Sequence, residues 1–182
     1  APAILEMWYP GSEAGNAVAA LLFGDAVPCG KTTMSFPKSI GQVPLSYTRS
    51  NTGRPKPGSE DEFTGYASNY MDCGNLALYP FGWGLSYTDF RYDGLELSSN
   101  VMTADHPLTV TVTLTNTGDR KAKEVVQLYL NDTVSSVVTP VQKLADFKKV
   151  ELAPGETRKV SFTLLPEKLT LWDIKGEAKI EP

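Results

Sequence analysis

The sequence predicts two kinds of structure in succession: an α/β unit over the first half, then an all-β sandwich of immunoglobulin-like or fibronectin-like type. Three observations predict this. A single helical apolar pattern stands between strand-like segments in the first half, a period of two sets in from Tyr92 onward, and no helical pattern interrupts the strands that follow.

The elements follow in order. "AILEMWYPG" reads as a buried strand that ends at a helix entrance. In "GSEAGNAVAALLFGD", Ser12 suits an N-cap and Glu13 suits the positive end of the helix dipole. Val18, Leu21 and Leu22 share a face, and Gly24 marks the C-terminal stop. The next stretch, "FGDAVPCGKTTMSFP", contains a Gly-Lys-Thr that raises the question of a phosphate-binding loop. The spacing answers it, because five residues separate Gly24 from Gly30 where that motif has four. Pro28 also removes a backbone donor, and the helix lies before the glycines instead of after them. The stretch is therefore a helix-to-strand turn, with "TTMSFPKS" as a short strand. Residues 50–75 then form a long polar segment, which in a compact domain is either functional or mobile.

Alternation dominates the second half. Leu108, Val110, Val112 and Leu114 alternate with threonines in "PLTVTVTLTNTGD", a strand with one buried face that ends in an Asn-Thr-Gly turn. "EVVQLYLND" and "RKVSFTLLP" repeat the pattern, the latter with Val160, Phe162 and Leu164 on one face after a turn at "LAPGET". Roughly five strands can be counted where such a sandwich has about seven, so the β half is expected to be incomplete. "FGWGLSY" is the expected connection, with Phe81 and Trp83 packed at the junction. Residues 1–90 and 91–182 are thus expected as two domains that meet near 87–92.

Composition limits the function classes. With 41% hydrophobic residues the chain can build a core, and no apolar run is long enough to span a membrane. The N-terminus lacks the basic region and cleavage pattern of a signal peptide, and its strand-like start suggests that the chain begins inside a domain. Seventeen basic and twenty-one acidic residues give a net charge of −4 with the two signs interspersed, which leaves no footprint for nucleic acid. Cys29 and Cys73 have neither metal-ligand nor redox-pair spacing; a disulfide between them stays open, with two free thiols favoured. His106 precedes Pro107 at a strand entrance and suits a solvated loop, so neither a metal site nor a cofactor is predicted. Trp8, Trp83 and Trp172 are expected as core or junction anchors. The main aromatic of the clear strands, Tyr129, lies in an apolar run, which favours a packing sandwich over a carbohydrate-binding or spacer module.

Longer phrases carry a resemblance. "WYPGSEAGNAVAALLFGDAVPCGKTTMSFPKSIGQVPLSY", "NTGRP", "LYPFGWGLSYTDFRYDGLELS", "VVQLYL" and "FKKVELAPGETRKVSFTL" resemble, in that order, the C-terminal region of family 3 glycoside hydrolases, and within that family the bacterial periplasmic β-glucosidases. The wording departs from the family at Cys29, where Ser is common, and at Thr32 and Thr33, where Leu-Pro is common. The resemblance implies the end of an α/β sandwich domain followed by most of a fibronectin type III-like domain. It also implies a (β/α)8 barrel upstream as partner in the same polypeptide, a glycoside or oligosaccharide substrate, and a periplasmic or secreted home. The chemistry implied is retaining hydrolysis by two carboxylates, both of them expected upstream of Ala1.

No acid present here is a catalytic candidate on this reading. Glu13 belongs to the helix start, Asp25 to a turn, and Glu60, Asp61 and Glu62 to a solvated charge run. Sugars are held by planar hydrogen-bonding groups and aromatic faces, so the substrate-adjacent candidates are Arg54, Tyr66 and Tyr70 in the long segment. The competing reading pairs Arg54 with the acidic run and lets the tyrosines pack the loop down.

Overall fold

The computed structural model describes residues 2–54, 65–103 and 105–181, and the acidic run Glu60, Asp61 and Glu62 lies outside them. Helix α1 spans Ala14–Phe23 and is the one α-helix among the described residues. It starts a residue later than the capping pattern suggests. Gly11, with φ 74°, accepts the Ala14 amide at 3.2 Å, so Ser12 is consumed in that turn and Glu13 becomes the N-cap. The Glu13 carboxylate accepts from the Asn16 side chain at 2.6 Å instead of capping the backbone. Gly24 ends the helix in the left-handed conformation, φ 82°, its amide donating to the Leu21 carbonyl as expected. Ala14, Val18 and Leu21 form the half-buried face, while Leu22, one residue round the helix, is exposed.

Two expected strands of this half are reduced or absent. Residues 2–10 hold no strand and leave Ile4, Trp8 and Tyr9 exposed, because no described segment offers them a pairing edge. "TTMSFPKS" shrinks to one antiparallel bridge between Phe36 and Tyr79, since Pro37 cannot supply the next donor.

The β half follows its alternation. Five strands of eight to ten residues run antiparallel: β1 (Phe90–Leu97), β2 (Leu108–Asn116), β3 (Ala122–Leu130), β4 (Lys143–Leu152) and β5 (Thr157–Leu164). They form a β1-β2-β5 sheet and a β3-β4 sheet. Register places Val110 opposite Phe162 and Val112 opposite Val160. The core joins Leu114, Val160 and Phe162 of one sheet to Val126 and Leu152 of the other, and Leu164 is buried beside them. Two further strands of two residues each, β6 (Leu171–Trp172) and β7 (Ala178–Lys179), pair as a hairpin too short to show alternation.

Asn116, fully buried at the end of β2, joins three segments. Its amide donates to the Arg120 carbonyl at 2.7 Å and the Leu152 carbonyl at 3.2 Å, while its carbonyl accepts from the Thr88 hydroxyl and the Gly118 amide. Every polar atom of that side chain is thereby satisfied, as burial requires.

A largely buried charge pair joins the two halves. Lys31 Nζ lies 3.1 Å from a Glu124 carboxylate oxygen and also donates to the Gly84 carbonyl at 2.9 Å. The other Glu124 oxygen accepts from the Tyr92 hydroxyl at 3.0 Å. Burial, with the Glu124 charge and hydrogen bond, holds the Tyr92 phenol above its usual range. Gly84 can be nothing larger, because a Cβ there would stand 2.3 Å from the Gly30 carbonyl oxygen. Around this pair, Gln127 donates to the Gly82 carbonyl, Tyr87 to the Leu21 carbonyl and Arg120 to the Gly24 carbonyl. The last two contacts satisfy carbonyls at the end of α1, where a cation also suits the dipole.

Two outcomes follow for stability. Glu124→Gln leaves the Lys31 ammonium buried without its counter-charge and should cost about 3 kcal/mol in urea unfolding, with the Lys31→Met, Glu124→Gln double variant recovering most of the loss. In the β6-β7 turn the Asp173 carboxylate takes the Lys179 ammonium and the Glu177 and Lys175 amides, and these contacts, Lys179 first, hold its pKa at about 2 against an ordinary 3.8. A depressed carboxylate contributes above its unfolded pKa and loses that contribution as pH falls through the folded one. Acidification from about pH 4 towards pH 2 should therefore speed amide exchange at Lys175 and Glu177, relative to intrinsic rates, before β2 and β5 respond.

Candidate functional site

The three predicted sugar-facing residues flank residues 55–64, which are outside the described set. Beneath Tyr70 lies Gln42, a residue that sequence reasoning did not single out. It is 1% exposed at the end of a short 3-10 turn, Ile40–Gln42. Its side-chain amide donates to the Gly74 carbonyl at 2.8 Å and the Leu76 carbonyl at 3.3 Å, and its side-chain oxygen accepts the Lys38 amide at 2.5 Å. The Gln42 backbone carbonyl takes the Tyr70 hydroxyl at 3.2 Å. The Tyr70 amide in turn donates to the Asn75 side chain, whose own amide reaches the Ser68 carbonyl.

These bonds bring the predicted residues to one loop base with different freedoms. The Arg54 carbonyl accepts the Ser68 amide at 3.0 Å, which joins the outgoing and returning backbones, while the Arg54 side chain faces solvent. Tyr66 has a left-handed backbone, φ 64°, and a ring 92% exposed. Such a conformation costs a non-glycine residue energy, and strain of this kind gathers at sites that bind. Tyr70 is half-buried, and its hydroxyl is used by Gln42.

A cleft of about 450 Å³ lies at the junction and is lined by Lys31, Phe81, Trp83, Tyr92, Glu124 and Gln127, among others. Phe81 is the packed member, stacked on Tyr47 at 4.0 Å between centroids, with Tyr47 edge-on to Tyr129. Trp83 stays partly exposed at the cleft, its ring over Tyr79. Glu124 is the one carboxylate of this lining, and both its oxygens are taken by Lys31 and Tyr92, so it has no partner carboxylate with which to run acid/base chemistry. Lys31, the lysine of the Gly-Lys-Thr, thus serves an ion pair.

The other candidates take quieter places. Asp25 and His106 are exposed, the latter in a bridge with Thr103. Both thiols are free; Cys29 Sγ lies 3.8 Å from Lys149 Nζ, and partial burial with the Asp72 charge raises the Cys73 thiol. Among the described residues no three His, Cys, Asp or Glu side chains converge as metal ligands, and no helix is long and apolar enough to cross a membrane. The expectation of tryptophans as core or junction anchors is not met at Trp8 and Trp172, while Trp83 lies at the junction. Trp8 and Trp172 are more than half exposed, because Trp8 sits on an unpaired segment and Trp172 on a two-residue strand. The exposed aromatics of the strands, Tyr92, Phe147 and Trp172, belong to three different sheets, so they make no continuous binding row.

Comparison with known proteins gives these features a family. Residues 1–87 match the glycosyl hydrolase family 3 C-terminal domain and residues 124–182 the fibronectin type III-like domain. A periplasmic β-glucosidase of Salmonella typhimurium is 46% identical over the whole chain, and a β-xylosidase of Formosa agariphila 42%. The crystal structure of a β-glucosidase from Listeria innocua in complex with isofagomine covers 97% of the chain with a TM-score of 0.91 at 40% identity. The chain spans about a quarter, 24%, of the length of each of these three proteins. With both domain matches in family order and whole-chain identity at this level, the chain belongs to the C-terminal region of the family 3 glycoside hydrolases.

Proposed function

We propose that this chain is the non-catalytic C-terminal part of a retaining β-glycosidase, a β-glucosidase in the first instance, that releases terminal non-reducing β-linked sugars. The observation that supports it best is similarity along the whole chain to β-glucosidases about four times as long. Retaining hydrolysis needs two carboxylates roughly 5 Å apart across the scissile bond. Glu124, the acid nearest to enclosure, is committed to Lys31 and Tyr92. The family resemblance implies that both catalytic carboxylates come from an upstream barrel and its adjoining domain; residues 1–90 would complete that domain and residues 91–182 follow as a second.

Within this reading the loop base presents Arg54 and Tyr66 towards the glycoside, and Tyr70 pins the loop that carries them. An exposed guanidinium and an exposed phenol ring suit hydroxyl groups and a pyranose face. The periplasmic name of the Salmonella relative supports a periplasmic or secreted home.

By itself the chain should not hydrolyse aryl β-glucosides or aryl β-xylosides above buffer from acid to neutral pH, because on this reading both carboxylates and the barrel that binds the sugar belong to the rest of the enzyme. Turnover that vanishes in Glu13→Gln or Asp25→Asn would contradict this. In the whole enzyme, Arg54→Ala should raise KM by about fivefold, the worth of one lost hydrogen bond.

A further inference from the structure

The sandwich reaches the sugar-facing loop through the connection between β3 and β4. Residues 131–142 are longer than a hairpin needs and are held in shape at several points. The Thr139 hydroxyl donates to the Asp132 carbonyl at 3.2 Å, and the Val134 amide to the Asp132 side chain. The Ser136 amide donates to the Glu181 carboxylate at 2.8 Å, with the Ser136 hydroxyl on its other oxygen. Those two bonds, the hydroxyl's first, hold the Glu181 carboxyl below its ordinary range, so the tether is charged at neutral pH.

From this held loop, two contacts cross to the first half. Pro140 bridges antiparallel with Ser50, and the Val141 amide donates to the Arg49 carbonyl at 2.9 Å. Arg54 lies four residues further along. Between Val43 and Arg54 the chain has no helix or strand. The Tyr47 ring holds its start against Phe81 and Tyr129, and nearer Arg54 the backbone bonds include the Val141 amide to Arg49, the Arg54 amide to Thr52, and the Ser68 amide to Arg54.

We propose that the β3-β4 loop is a positioning element for the substrate loop, in which Pro140 and Val141 set, through Ser50 and Arg49, where Arg54 stands before the sugar. Neither residue touches substrate. The sandwich is then part of the enzyme's specificity apparatus as well as its scaffold. The inference rests on the reading that Arg54 is substrate-adjacent.

Three variants separate the two. Val141→Pro deletes the donor to Arg49 and keeps an apolar side chain. In this chain, amide exchange at Arg54 and Ser68 should quicken by about tenfold while β2 and β5 stay protected, the response of a local opening. In the whole enzyme the same change should raise KM by about fivefold and leave kcat within about twofold. Ser50→Cys with Pro140→Cys places a cross-link between the partners of an antiparallel bridge, a pairing whose usual separation a disulfide can span. Oxidising it should slow exchange at Arg54 and Ser68, and combined with Val141→Pro it should return KM to the parent value. Arg54→Ala reports on the reading beneath: if KM ignores it, Arg54 is not at the sugar, and the proposed positioning role falls with that reading. If Arg54→Ala raises KM while Val141→Pro leaves it unchanged, the positioning role alone is overturned. Should Val141→Pro disturb β2 and β5, the cross-linked pair decides, and exchange at Arg54 and Ser68 that is the same oxidised and reduced overturns the proposal.

Discussion

A lysine from the first half and a glutamate from the second, both withdrawn from water, fix how the two halves of this chain sit together. Burying Lys31 and Glu124 costs desolvation that their attraction offsets only with good geometry and further hydrogen bonds. Gly84 and Tyr92 supply those bonds. The pair tolerates one arrangement, since sliding either half would leave two charges buried and unmatched. It thereby sets the register for the weaker contacts around it, the Gln127 bond to Gly82 and the capping of α1 by Tyr87 and Arg120.

That constraint matters because the first half has little else. Among the described residues every buried hydrophobic lies in the second half, from Val110 to Leu171, while the first 89 residues contribute Gln42 and Thr88 to the buried set. Its helix buries no residue, and Tyr9, Phe23 and Ile40 stand almost wholly exposed. Polar bonds and aromatic pairs organise it instead, with Gln42 beneath the loop, Tyr47 stacked on Phe81, and the sandwich at its side. On the proposed reading of the loop this division has a use: a packed β core would hold a loop that meets the glycoside, and polar contacts would allow that loop its own geometry.

Legibility followed the range of the forces involved. The alternation from Leu108 to Leu114 and through Val160, Phe162 and Leu164 could be read because one face of each strand is buried and the period is local. Gly24 was legible for the same reason, since a left-handed cap is a property of one residue. "AILEMWYPG" misled because apolar content makes a strand only where another strand can pair with it. Ser12 misled because a glycine turn took its place. Gln42 and the Lys31, Glu124 and Tyr92 cluster gave no signal, their partners being far apart in sequence and their residue types ordinary. The long motif phrases identified the family, and residue type in the long polar segment singled out Arg54, Tyr66 and Tyr70, but only the structure shows that the Tyr70 hydroxyl is bonded to Gln42 while the Arg54 side chain and the Tyr66 ring face solvent.

The central claim is that the sandwich folds on its own core and lends order to the half before it. Residues 91–182 and residues 1–90, produced separately and followed by dispersion of amide signals and by urea unfolding, test it most directly. The account predicts a dispersed spectrum and a cooperative transition for residues 91–182, and for residues 1–90 a collapsed spectrum with no transition until the sandwich is added back. Cooperative unfolding of residues 1–90 alone would contradict it.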